Sequence, residues 1–230
     1  MKRFLVLFAA MGLILWSCGD SGSEPNPEPR TYTTTFSTSE NPISDNGNWI
    51  NGGDVGLDWH NVMTTSGMAT GTDAPVPWSD ATAVLSGAWK PNQTVEGTVY
   101  SVNPTESYIQ QVELRLRTTI SAHSITGYEI FFRCLKTDQA SMGIVRWNGP
   151  MADYTYLGTR NGAQYGVATG DVVKAVIVGT VINVYINNVL VAQVIDSTFA
   201  TGNPGIGFNY GCDGTYGDFG FTSFTASEVQ

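Results

Sequence analysis

The run from Asp171 to Asp196, DVVKAVIVGTVINVYINNVLVAQVID, constrains the fold more than any other stretch of this chain. β-Branched residues dominate it, and two short pairs, Gly179-Thr180 and Asn187-Asn188, divide it into thirds. Both pairs are two-residue hairpin turns of the types whose backbone twist matches right-twisted strands. The spacing predicts three antiparallel strands in a meander, over 172–178, 181–186 and 189–195.

The same chemistry recurs upstream. From Tyr108 to Thr119 the chain alternates, with Val112, Leu114 and Leu116 facing one way and Gln111, Glu113, Arg115 and Arg117 the other. Further strands are expected over 128–135, 143–147, 205–208 and 218–226, and earlier ones near 32–37, 82–89 and 95–102. No stretch after residue 30 sustains a helical period with capping residues. The 26 glycines favour tight turns between strands. A long series of strands without helices means an all-β antiparallel sandwich or barrel, here as one domain. Residues 38–80 are the least regular part, with Trp49, Trp59 and Trp78 among Asn, Gly and Asp. A stretch of that kind is either a functional loop system or a set of unrecognised strands.

Four elements of the C-terminal part fit one known pattern: Val178-Gly179, then Val184-Tyr185-Ile186-Asn187, then Gly202 to Gly207, then Asp218-Phe219. In this order they resemble the closing half of concanavalin A-like, laminin-G-like jelly rolls. The resemblance implies an antiparallel β-sandwich over residues 31–230, with the last strand beside a first strand near Phe36. Lectins, carbohydrate-binding modules, glycoside hydrolases and polysaccharide lyases share this architecture, so it leaves activity open.

The first 30 residues lie outside that domain. Lys2 and Arg3 precede an apolar run from Phe4 to Trp16 that is too short to span a bilayer. Leu15-Trp16-Ser17-Cys18 resembles the lipobox of bacterial lipoproteins, which implies a signal peptide over 1–17 and a lipidated Cys18. Gly19 stands where an Asp would favour inner-membrane retention in enteric lipoproteins, so the resemblance implies an outer-membrane anchor, facing the periplasm or the exterior. SGSEPNPEPR, residues 21–30, reads as a solvated tether. Cys134 and Cys212 remain as an even pair in an oxidising compartment, a disulfide candidate set against two buried thiols.

Charge narrows the partners. The chain carries a net charge of -9, and loss of Lys2 and Arg3 would leave -11. Nucleic acid is excluded as a partner on that balance. Against this background the candidate ligand-binding row is Arg115 and Arg117, with Glu113 on the same face, and Arg133 and Arg146 on strands that the fold resemblance would make neighbours. Arginines so grouped suit the bidentate pairing of carboxylates, and the expected ligand is a polysaccharide, an anionic one if the row faces solvent. Glu113 and Glu129 supply the competing reading, a cross-strand ion-pair ladder.

Enzyme signatures are sparse. Retaining hydrolases of this fold set two carboxylates on one strand with E-x-D-x-x-E spacing, and no such spacing occurs. Gln111-Val112-Glu113-Leu114-Arg115 is similar to the R-x-E-L-R strand of alginate-lyase-like jelly rolls, with Tyr128 or Tyr185 as the available bases. A lyase is therefore the alternative to a binding protein, and an adhesive surface protein without a glycan ligand is the second alternative. With two His residues far apart, zinc is excluded. The resemblance implies at most one structural calcium, at Asp218 with help from Asp45 or Asp54; no other cofactor is expected. Among the aromatics, Trp59 and Trp147 are the expected exposed, sugar-stacking pair, whereas Trp49 and Trp89 belong to the core.

Overall fold

The computed structural model describes residues 28–72, 79–211 and 216–230. Signal peptide, Cys18 and most of the tether therefore lie outside the described residues, as do Trp78 and Cys212. Fifteen strands follow in chain order. They are β1 (Thr31–Thr34), β2 (Trp49–Asn51), β3 (Val62–Thr65), β4 (Met68–Gly71), β5 (Ser79–Leu85), β6 (Gln93–Ser101), β7 (Ile109–Ser121), β8 (Ser124–Arg133), β9 (Ser141–Gly149), β10 (Tyr154–Asn161), β11 (Val172–Val178), β12 (Val181–Ile186), β13 (Val189–Ile195), β14 (Asn203–Gly211) and β15 (Phe219–Glu228).

The strands form two antiparallel sheets. One runs β13-β12-β11-β6-β15-β4-β3, with β1 also paired to β15; the other runs β10-β9-β8-β7-β14-β5-β2. The meander has the predicted bounds, with Val178 opposite Val181 and Ile186 opposite Val189. Asn187 and Asn188 both adopt positive φ, as their turn requires. The closing strand β15 pairs with β1, Phe224 opposite Thr34, and Phe36 is buried just beyond.

Inward alternation builds the core between the sheets. Val112, Leu114 and Leu116 of β7 meet Tyr128, Ile130 and Phe132 of β8, Phe208 of β14, and Phe219, Phe221 and Phe224 of β15. Trp49 and Trp89 are buried here as expected. So is Cys134, whose thiol burial pushes up to about 12, an inert form. The irregular stretch holds β2, β3, β4 and the start of β5, and also the loop that carries Trp59.

Candidate functional site

The outward face of the seven-stranded sheet carries a groove of about 750 Å³. Its floor comes from alternate residues of adjacent strands: Gln111 on β7, Glu129 and Phe131 on β8, Val145 and Trp147 on β9, Asn209 on β14 and Asp80 on β5. These are the positions left over once the other parity has faced the core. One wall is Tyr154 and Tyr156 of β10 with Met151 before them, and the other is the Asp58-Trp59-His60 loop.

Beneath the floor lies a buried ion-pair cluster. Arg115 is fully buried, and its Nη2 donates to Glu113 Oε2 at 2.5 Å and to the Thr82 hydroxyl at 3.0 Å. Nη1 donates to Glu129 Oε2 at 2.7 Å, and Trp147 Nε1 donates to the same oxygen at 2.6 Å. Gly207, opposite Glu113 on β14, makes room for this arrangement: a Cβ there would stand 2.4 Å from Glu113 Oε2 and 2.6 Å from Arg115 Nη2. The guanidinium carbon sits 4.9 Å from the centre of the Trp59 ring.

Asp80 completes the cluster from the far side of β14. One carboxylate oxygen each from Asp80, Glu113 and Glu129 lie within 4.8 Å of one another. Burial, reinforced by the charge of Glu129 and only partly offset by Arg115, pushes the Asp80 carboxyl up to about 8. Glu113 is raised well above the carboxylate range by burial and by Glu129, with Arg115 opposing. Three acids therefore share one guanidinium, and protons make up part of the difference.

An aromatic chain runs across the groove. Trp59 meets Trp147 at 4.6 Å between centroids, Trp147 meets Tyr154 at 5.1 Å, and Tyr154 meets Tyr156 at 5.4 Å, all edge-on. Exposure rises along it. Trp59 and Trp147 are 5% and 7% exposed, whereas Tyr154 and Tyr156 are 43% and 55% exposed.

The structure thus redistributes the residues singled out in the sequence. Trp59 and Trp147 do line the groove, but they are buried, because each packs on the other and over the ion-pair cluster. Glu113 and Arg115 form the expected pair with Glu129, yet buried rather than exposed. Arg117 leaves the row: a bulge after Leu116 and a positive φ turn its side chain away. Its guanidinium donates instead to the carbonyls of Pro91, Phe199 and Gly179. Arg133 ties down the loops at Glu106 and Gln139. Arg146 has the opposite parity to Trp147 and pairs with Asp196 at 2.7 Å. No arginine of the row is presented to the groove.

The bases considered for lyase chemistry are elsewhere as well. Tyr128 faces the core and donates to Asp196, and burial pushes its phenol up to about 12. Tyr185 belongs to the other sheet. Of the carboxylates considered for calcium, Asp45 accepts from Tyr32 and Asp54 accepts from Asn61. The one acidic grouping with suitable spacing among the described residues is Asp80, Glu113 and Glu129, and Arg115 already sits among its carboxylates.

Sequence reasoning did not select Asp80, Asn209, Tyr154 and Tyr156 as site residues. Tyr154 and Tyr156 carried a usable signal, two aromatics two apart on one strand face beside a Gly-Pro turn. Asp80 and Asn209 carried none, since only the pairing of β5 with β14 brings them together.

No family model matches this chain, and no curated protein matches it in sequence. Solved structures do match. The exoplasmic/lumenal domain of VIP36, in its Ca2+/Man3GlcNAc-bound form, superposes with a TM-score of 0.58 at 10% identity, over 81% of this chain and 86% of that one. The potassium-bound carbohydrate recognition domain of Emp46p gives 0.54 at 13% identity, over 85% and 98%. The carbohydrate-binding module CBM66 from Bacillus subtilis gives 0.53 at 13% identity, over 79% and 92%. With its two antiparallel sheets, its β1–β15 closure and these neighbours, the chain has the concanavalin A-like jelly-roll fold.

Proposed function

We propose that the groove binds a polysaccharide and that the protein is a lipid-anchored glycan-binding protein of the outer membrane. The observation that carries this reading is the exposed Tyr154–Tyr156 pair, standing over a floor of polar side chains in a groove of about 750 Å³. Pyranose rings offer an apolar CH face to such rings, and their hydroxyls need fixed polar partners such as Gln111 and Asn209. Three neighbours of the same fold that are described as carbohydrate-binding or glycan-bound support the reading by analogy. The anionic glycan expected from the arginine row loses its support, because Arg115, Arg117 and Arg146 are engaged by the protein itself. A lyase loses the same arginines.

Affinity electrophoresis against a panel of soluble polysaccharides tests the reading. The protein is retarded by at least one of them, and Tyr154→Ala with Tyr156→Ala removes the retardation without lowering the melting temperature by more than a few degrees. Absence of retardation on every glycan would leave the adhesive alternative. Growth of unsaturated-product absorbance on a uronate polysaccharide would restore the lyase.

A further inference from the structure

Resting on the glycan-groove reading, we propose that the groove selects glycans bearing free amino groups, that is, cationic hexosamine residues. The lining is one-sided in charge. Asp58, Asp80 and Glu129 border it, no Lys or Arg does so among the described residues, and His60 is its one basic side chain. Neither 73–78 nor 212–215, the internal segments outside the described residues, contains a Lys or Arg.

Around Asp80 the floor is rich in hydrogen-bond acceptors. Glu129 and Asp80 are acceptors when ionised. Asn209 Oδ1 is buried against the groove with no donor among the described residues, while its Nδ2 is given to Gln111. The indole donor of Trp147 is engaged by Glu129. An ammonium group is the complement of such a lining, because it has three donors and no acceptor.

Aromatic rings supply the second, independent half of the argument. A cation is attracted to the faces of Trp and Tyr, more so where water is displaced. Tyr154 and Tyr156 stand nearly perpendicular, at 88°, so two ring faces of different orientation border one site. One face of Trp59 is already occupied by the Arg115 guanidinium. That is the same kind of contact, made by the protein's own cation beneath the floor. Among the acids Arg115 nonetheless pairs with Glu113 and Glu129, and among the described residues no ion pair reaches Asp80. The Asp80 carboxyl is raised by its burial first and by the charge of Glu129 second, with Arg115 opposing. A ligand amine would pair with it, whereas a uronate would bring a further negative charge beside Asp80 and Glu129.

Three β-1,4-linked tetramers separate the possibilities: glucosamine with free amines, its fully N-acetylated form, and glucose. Each is titrated calorimetrically into the full chain at a pH near 7, where part of the hexosamine amine is still protonated and Asp80, raised by burial to about 8, gives up its proton to the buffer as the ammonium binds. The free-amine tetramer is expected to bind about tenfold or more tightly than the other two, a difference well within reach of one desolvated charge contact. Asp80→Asn should bring that ratio close to one. The variant should fold, since the carboxyl it replaces is held largely protonated. Equal or tighter binding of the neutral tetramers overturns the charge selection but leaves the groove reading standing. Retention of the preference in Asp80→Asn also overturns it, and assigns the effect to the net charge of the whole protein. If none of the three binds and the polysaccharide panel gives no retardation either, both readings fall.

Discussion

Arg115 stands directly opposite Glu129 in the β7–β8 pair and reaches it with Nη1 at 2.7 Å, under a lid made by Trp59 and Trp147. Direct cross-strand placement is what the alternation of β7 implies; the lid is what changes its meaning. An ion pair on an open sheet face is screened and adds little, whereas this one has been taken out of water together with Glu113. The cluster is therefore the foundation of the groove, fixing Trp147 through Glu129 and bearing Trp59 on the guanidinium.

Removing Arg115 alone leaves two buried carboxylates without their cation. Arg115→Ala should lower stability by about 3–5 kcal/mol, the range for breaking one partner of a buried pair. Adding Glu113→Gln and Glu129→Gln should recover part of the loss, because the uncompensated charges go with them. Urea unfolding of the three variants measures this. A loss under about 1 kcal/mol for Arg115→Ala would place the pair in the class of exposed ladders and contradict the cluster.

The pH dependence of stability follows from Asp80 and Glu113, whose folded-state values are both raised. A carboxyl raised from 3.8 to about 8 binds more protons folded than unfolded throughout that interval, so stability falls as pH rises across it. Asp171, Asp196 and Glu228 act in the opposite sense, since hydrogen bonds and nearby cations lower them, and their contribution is lost as pH drops below the ordinary carboxylate range. Melting temperature should therefore peak on the mildly acidic side and decline toward pH about 8. Asp80→Asn should flatten the decline. A melting temperature that rises steadily from pH about 5 to 8 would count against the raised pair.

Local pattern was enough for the meander and for β7, but not for β2, β3, β4 and β10. The Gly179-Thr180 and Asn187-Asn188 turns give β11, β12 and β13 their bounds, and the alternation of β7 gives the buried parity of Val112, Leu114 and Leu116. What alternation cannot report is an interruption of itself. The bulge that turns Arg117 away is produced by register: residues 117 and 118 both lie against Gly127, whose φ is positive. Burial on the outer face was equally hidden. Glu113 and Arg115 look like solvent-facing residues until the loop of Trp59, from a segment with no clear period, is laid over them. Asp80 joins them only because β14 separates β5 from β7 and has Gly207 at the crossing point.

Arg117 and Arg146 now carry a prediction opposite to that of site residues. Arg117→Ala would strand the carbonyls of Pro91, Phe199 and Gly179, at a cost of about 1–3 kcal/mol. Arg146→Ala removes a partly exposed pair with Asp196 and should cost about 1 kcal/mol or less. Glycan retardation should be unchanged in both once the assay temperature is kept below the lowered melting points. Loss of retardation in a fully folded Arg146→Ala protein would return that arginine to the ligand and reopen the anionic reading.

The proposed membrane anchor rests on Cys18, and its prediction is independent of everything in the groove. A single acyl chain holds a protein to a bilayer only marginally, whereas the several chains of a lipoprotein anchor hold it firmly. The full-length protein should therefore partition into detergent, with the mass of its N-terminal peptide increased by lipid. Cys18→Ala should abolish that mass and shift the protein to the aqueous phase or leave it as the unprocessed precursor. The processed chain would carry a net charge of -11 and so offer no electrostatic attraction to anionic lipid that would mask the change. A Cys18→Ala protein that stays in the membrane with its N-terminal peptide processed as in the parent would refute the anchor, and with it the outer-membrane placement, while leaving the glycan groove untouched.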